Sequence, residues 1–191
     1  MFKMKENIIY KIFIVSILIS SLLTLKLQAE EKGKTDSTYH VGGWFNMGIG
    51  MSYFGPTGCY NFSFAYNDNI FTIRWLDADE SRFSFVEGVK EFPRLSMKEK
   101  GILFGRSYRK EFIFMSISGG IGYVTWQDRG RKITEYQYEP INITTYGIPF
   151  EARFRFNIGF LGIGGAWFGN INNHKILSGG LLELSIGVLY Y

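Results

Sequence analysis

Charged residues of both signs share one side of the alternating segments of this chain, and they are its strongest candidates for chemistry. In residues 145–156, Glu151, Arg153 and Arg155 alternate with apolar side chains, so a strand there would place all three on one face. The set predicted to point into a common interior is Arg74, Glu151, Arg153, Arg155 and Glu183. Buried charges of opposite sign must pair, which predicts a salt-bridged plug. The alternative is a narrow path lined with arginine that favours anions.

Nucleophilic chemistry has weaker candidates. A nucleophile needs an adjacent base, and the two histidines of the chain are His40 and His174. His174 lies in an asparagine-rich stretch, residues 170–175, with Ser178 nearby. A histidine in such a stretch is usually a solvated loop residue, so we expect no catalytic role and no enzymatic activity.

Metal ligands and thiol chemistry are equally poorly supported. Asp77, Asp79 and Glu80 cluster, but they lack the glycine and the terminal glutamate of a calcium-binding loop. Cys59 is the only cysteine, so a disulfide within the chain is impossible. We expect a solvated acidic turn, a small interior cysteine, and neither a metal nor a cofactor.

The elements that would position these residues are strands with one apolar face. The clearest face consists of Tyr146, Ile148, Phe150, Ala152, Phe154 and Phe156. Period-two patterns recur in eight segments, near residues 39–53, 59–66, 71–75, 101–108, 111–126, 145–156, 161–167 and 176–191. In the fifth segment the choice of the apolar face is less certain from the pattern, because Phe112 and Phe114 lie on the face opposite its other apolar residues.

The connections between these segments alternate between short and long. Turn-forming composition predicts short turns at 55–58, 67–69, 109–110 and 157–159. Polar composition predicts long loops at 77–100, 127–142 and 169–175, with residues 82–86 either extending the third strand or forming a small hairpin. An even number of strands places both chain ends on one side, which would be the periplasm in an outer membrane.

The first 29 residues have the layout of a signal peptide. Three lysines precede an apolar run at 12–25, and Ala29 offers a small residue at the cleavage point. A membrane anchor is the less favoured alternative, since the run is short and Lys26 interrupts it. We therefore predict a signal peptide at 1–29, a flexible tail at 30–38 and one barrel domain at 39–191.

Charge and composition narrow the function. The chain has 21 basic and 17 acidic residues; removing four lysines and one glutamate with the leader leaves 17 against 16, a net charge of +1. Nucleic acid is therefore not an expected partner. The 18 % aromatic residues and 23 glycines fit a membrane barrel with aromatic girdles and a crowded interior. The alternative fold is a secreted soluble β-protein, whose strands would also alternate but would turn their charged face outward.

The end of the chain carries the most specific resemblance. Glu183, Ser185, Val188 and Tyr190 are similar to the closing pattern of barrel-assembly substrates, with Ser185 where glycine is usual and one extra residue, Tyr191. Over residues 39–191 the chain resembles the small outer-membrane β-barrel proteins of Gram-negative bacteria. The resemblance implies recognition by the barrel-assembly machinery, and contact with outer-membrane lipid and lipopolysaccharide.

Together these features predict an all-β protein, an eight-stranded antiparallel up-and-down transmembrane β-barrel in the bacterial outer membrane. We expect a monomer with a structural or surface-interaction role, its lumen plugged by paired charges and its loops at 77–100 and 127–142 exposed. The alternative is a narrow, anion-favouring pore for small solutes. A lipid A-modifying enzyme is less favoured, since the His-x-Ser-Asn run of the lipid A deacylases is absent.

Overall fold

Eight antiparallel strands close into a barrel in the computed structural model, which describes residues 41–80 and 93–190, the last three by their backbone alone. The strands are β1 Val41–Ser52, β2 Gly55–Tyr66, β3 Asn69–Asp79, β4 Ser96–Lys110, β5 Ile113–Lys132, β6 Tyr138–Ile158, β7 Leu161–Asn172 and β8 Leu177–Tyr190. Each strand pairs with its neighbours in chain order, and β8 pairs with β1. The predicted fold class is confirmed. Within the described residues, no helix is long and apolar enough to cross a membrane.

Side chains alternate between the inside and the outside of the barrel with the predicted phase. In β2, Tyr60 and Phe62 are exposed while Cys59 and Asn61 are buried. In β5 the sequence left open which face points outward, and the structure places Phe114 inside, where it is 0 % exposed. Because successive residues of a strand point to opposite faces, the outward face is largely apolar and the inward face carries the buried polar residues.

The first connection differs from the prediction. Residues 55–58 were expected to form a turn, but Gly55 begins β2 and the turn lies at Tyr53–Phe54. The Ser52 hydroxyl accepts hydrogen bonds from the backbone N–H groups of Phe54 and Gly55, at 3.2 and 3.3 Å. Gly55 has a φ of 148°, a conformation that favours glycine. The glycine and proline therefore mark the start of a strand instead of a turn.

Three two-residue turns lie at the opposite end of the barrel, which we call the turn end. The turn at Asn67–Asp68 falls where it was predicted, but those predicted at 109–110 and 157–159 lie at Glu111–Phe112 and Gly159–Phe160. The first residue of each turn has a positive φ: 52° at Asn67, 49° at Glu111 and 61° at Gly159. That conformation matches the twist of tight hairpins, and composition located it at the first of the three turns but not at the other two.

The first connection and the three long connections lie at the other end of the barrel, which we call the loop end. The three long connections are shorter than predicted. Residues 77–100 were expected to form a loop, yet β3 continues to Asp79 and β4 begins at Ser96. The predicted loop at 127–142 shrinks to 133–137, and the one at 169–175 to 173–176. Residues 82–86, the leader at 1–29, the tail at 30–38 and His40 lie outside the described residues.

The residues on the outer wall become more polar, row by row, toward the loop end. One hydrogen-bonded row across four adjacent strands contains Phe62, Ile73, Ile102 and Ile121. The next row contains Tyr60, Trp75, Lys100 and Tyr123. A third row contains Asp77, Lys98 and Thr125. The wall thus passes from apolar through aromatic to charged residues, the sequence of zones at the edge of a membrane-facing band.

Close packing of the wall makes one glycine a sharp test of the register. A Cβ at Gly120 would overlap the carbonyl oxygen of Ile102 and crowd the Cα of Leu103, whereas a Cβ at Gly58 meets no heavy atom within 4 Å. We predict that Gly120→Ala lowers the free energy of unfolding by ~1–3 kcal/mol, the usual cost of overpacking. Gly58→Ala is the matched control and should change it by less than about 0.5 kcal/mol. Urea unfolding in detergent measures both, and equal effects would contradict the pairing of β4 with β5.

Candidate functional site

Six charged side chains are buried inside the described part of the barrel, and their charges balance. They are Arg74, Arg153, Arg155, Glu99, Glu151 and Glu183, each at most 3 % exposed. All five charged residues predicted for the interior therefore point inward, and Glu99 joins them. Three guanidinium groups and three carboxylates leave no net charge, which is the condition under which an enclosed group of ions is least costly.

Arg74, on β3, uses its whole guanidinium group. Its Nε and Nη2 donate to Glu99 Oε1 at 2.8 and 2.6 Å, and its Nη1 reaches Glu151 Oε2 at 3.5 Å. The carbonyl oxygens of Phe150 and Gly169 accept two further hydrogen bonds at 3.2 Å each. Arginine has five N–H donors in a fixed plane, and each has an acceptor here. The side chain thus joins β3 to β4, β6 and β7 across the lumen.

Arg153, on β6, extends the same network toward β8. Its Nε lies 2.7 Å from Glu183 Oε2 and its Nη2 lies 2.9 Å from Glu151 Oε1. Glu151 therefore contacts both Arg74 and Arg153. A carboxylate with two oxygens and several lone pairs can bridge two cations in this way.

Arg155 is held differently, against two aromatic rings that pack edge to face on each other. Its guanidinium carbon lies 4.7 Å from the ring centroid of Trp44 and 4.6 Å from that of Phe114, which are cation–π distances. Its Nη1 donates to Asn46 Oδ1 at 2.9 Å, and Asn46 in turn bonds Asn61. Among the described residues, no carboxylate lies within ion-pair distance of Arg155.

Apolar side chains close the lumen on both sides of the charges. The cluster on the loop side consists of Cys59, Leu76, Ala78, Met97, Val124, Trp126, Ala166, Phe168, Leu177 and Leu181. The cluster on the turn side consists of Trp44, Ala65, Ile70 and Phe114. An eight-stranded barrel has an interior just wide enough for its side chains. The charged network is therefore one layer of a packed core.

A second polar cluster lies at the loop end, beyond the last pairing of β4 with β5. Asp128 contacts Lys175 Nζ at 2.5 Å and His174 Nε2 at 3.0 Å. Burial alone would raise the pKa of Asp128, but hydrogen bonds from Lys175, the Arg129 backbone N–H and His174 outweigh it and lower the pKa. Arg129 also donates to Glu80 at 2.5 Å and to the Pro93 carbonyl at 3.1 Å. These contacts fasten three connections to one another.

Catalytic and metal chemistry find little support in this cluster. His174 was predicted to be a solvated loop residue, and it is half-buried against Asp128 instead. No hydrogen bond joins it to Ser178 in the described part of the chain. The described residues contain no group of three metal-ligating side chains, and Asp77 and Asp79 belong to β3 instead of an acidic turn.

Two interior residues escaped the sequence analysis, because they were assigned to loops. Glu99 is the main partner of Arg74, and Asn170 donates to Glu99 Oε2 at 2.7 Å while fully buried. Extending the phase of Ile102 and Phe104 backwards by twos would have placed Glu99 inside and Lys98 outside. Two lysines beside Glu99 obscured that signal.

The closing segment of the chain is described in part. Glu183 and Ser185 point inward on β8, whereas the side chains of Val188 and Tyr190 lie outside the described residues. The role of these four residues in barrel assembly stays a prediction.

Solved structures share the fold at low sequence identity. The N-terminal β-barrel domain of Pseudomonas aeruginosa OprF superposes with a TM-score of 0.51 at 6 % identity, covering 78 % of this chain and 96 % of that one. Ail, the attachment invasion locus protein of Yersinia pestis, gives 0.50 at 11 % identity, covering 80 % and 97 %. No family model and no curated protein matches the sequence. The fold is that of the eight-stranded outer-membrane β-barrels.

The buried ion pairs predict a large difference between two carboxylates on neighbouring strands. Glu99→Gln leaves part of the charge of Arg74 uncompensated in the core, so we expect the free energy of unfolding to fall by ~3–5 kcal/mol. Asp77→Asn removes an exposed pair with Lys98, 3.9 Å apart, and should cost less than about 1 kcal/mol. Equilibrium unfolding in detergent compares the two variants. A cost for Glu99→Gln as small as that for Asp77→Asn would contradict the network.

Proposed function

We propose that this chain is an outer-membrane β-barrel with a closed lumen, acting as a structural or surface-interaction protein and not as an enzyme. The observation that carries the proposal is the balanced layer of three arginines and three glutamates, which packs against an apolar cluster on the loop side and, through Arg155, against Trp44 and Phe114 on the turn side. A layer of this kind replaces an ordinary apolar core. It occupies the space through which a solute would pass.

The outer wall supports residence in a membrane. Large apolar side chains are exposed on every strand, among them Ile49, Phe62, Phe71, Ile102, Ile117, Phe154, Ile163 and Leu182. A soluble monomer rarely exposes a contiguous apolar patch larger than a few hundred Å². A closed barrel leaves no unpaired strand edge within its wall, which lipid requires. We infer that outer-membrane lipid and lipopolysaccharide surround it, and that the barrel-assembly machinery inserts it.

The loop end supports a role at the cell surface. Beyond Gln127, β5 and β6 continue together as a two-stranded ribbon that ends at 133–137, with Ile133, Tyr136 and Ile141 exposed. The salt bridges of Asp128 and Arg129 hold its base against the neighbouring connections. Exposed residues on a rigid scaffold are where binding functions often reside, and the ribbon has this arrangement.

A narrow, anion-favouring pore is the second candidate, because three arginines face the lumen. Such a path would need the guanidinium groups to be free for passing anions. Arg74 and Arg153 are instead bound to Glu99, Glu151 and Glu183 at 2.6–3.5 Å. Opening the path would separate buried ion pairs, which is costly.

Planar-bilayer recording separates the two candidates. Protein purified from outer-membrane fractions should migrate differently on gels before and after boiling, which shows that it is folded. In the bilayer we predict no discrete conductance step from the wild-type protein, with a general porin as the positive control. An anion-selective step in the wild type that disappears in Arg153→Ala would contradict the closed lumen.

A further inference from the structure

Three buried hydrogen-bond donors have no partner among the residues that the structure describes, and their residues line one small cavity at the turn end. The donors are Trp44 Nε1, Arg155 Nε and Asn157 Nδ2. The cavity measures about 10 Å³, and Gly159, Phe160, Ser185 and Gly187 complete its lining. Trp44 and Arg155 are at most 2 % exposed, so bulk water does not solvate them.

This concentration of donors calls for an acceptor. More than nine in ten buried polar groups in proteins are hydrogen-bonded, and an exception points to strain, function or a bound water or ion. The three interior carboxylates are already engaged: Glu99 by Arg74, Glu151 by Arg74 and Arg153, and Glu183 by Arg153. Arg155 therefore brings a positive charge to the cavity, and no carboxylate of the described ranges contacts it.

The size and chemistry of the cavity define its guest. A volume of about 10 Å³ holds roughly one water-sized particle. A cation is excluded by the guanidinium group. The rings of Trp44 and Phe114, which pack edge to face with their centroids 4.9 Å apart, both contact the guanidinium. Because three N–H donors and one positive charge meet here, we propose that the cavity binds a single halide ion, held by the N–H groups of Trp44, Arg155 and Asn157.

Trp126 provides a matched control within the same chain. Its Nε1 is also buried without a partner, but it lies in the apolar cluster on the loop side and does not line the cavity. Substituting phenylalanine for either tryptophan removes one N–H group and keeps an aromatic ring. Only Trp44→Phe should affect anion binding.

The test replaces one anion by another at constant ionic strength. Protein folded in detergent micelles is melted in sodium gluconate, whose anion is too large for the cavity, with sodium chloride or bromide added in exchange. We expect the melting temperature to rise with halide concentration and to saturate. Because a hydrogen bond to a charged group is lost, Trp44→Phe and Asn157→Ala should each raise the half-saturating concentration about tenfold, while Trp126→Phe leaves it unchanged.

Bromide diffraction locates the site directly. Crystals grown in bromide should show an anomalous peak within hydrogen-bonding distance of Arg155 Nε. A melting temperature that is the same in gluconate and chloride would overturn the proposal, as would an equal shift for Trp126→Phe or a crystal without this peak. If Trp44→Phe fails to fold, Asn157→Ala at the half-buried turn-end position decides alone. The experiment needs no membrane, so its result is independent of the function proposed above.

Discussion

The carboxylate of Glu151, shared by Arg74 and Arg153, is the contact on which the interior of this barrel depends. Eight strands enclose a space that side chains just fill, so little water remains to solvate an ion there. Each guanidinium must then meet a carboxylate or an aromatic face within the lumen. Glu151 satisfies two at once and connects the Arg74–Glu99 pair with the Arg153–Glu183 pair. Four strands are thereby joined across the barrel.

The apolar outer wall follows from the charged interior, because each strand has two faces of opposite polarity. A strand that turns Arg153 and Arg155 inward must turn Phe154 and Phe156 outward, because its side chains alternate. The barrel consequently shows an apolar wall and a charged interior, the opposite of a soluble β-protein. Ring closure from β8 to β1 removes the open edge that would otherwise expose unpaired backbone groups. An apolar wall outside and ion pairs inside are two consequences of one alternation.

The sequence predicted this alternation well and the ends of the strands poorly, for a physical reason. Within the apolar band, as in residues 145–156, one face is apolar and one is polar, so period two is visible. Past the band the outward face becomes polar, so that Lys98 and Glu99 are both charged although backbone pairing continues. Glu99 and Asn170 were therefore assigned to loops. The turns at Glu111 and Gly159 depend on backbone conformations that residue type alone did not locate.

The four tryptophans offer the most direct test of which face meets lipid. Trp75 and Trp167 are 41 % and 57 % exposed on the outer wall, whereas Trp44 and Trp126 are at most 2 % exposed inside. Variants retaining a single tryptophan, folded into vesicles of phosphatidylcholine with brominated acyl chains, report contact with hydrocarbon through fluorescence quenching. We predict strong quenching of Trp75 and Trp167 and little of Trp44 and Trp126. Quenching of the inner pair with the outer pair unaffected would contradict the orientation of the wall.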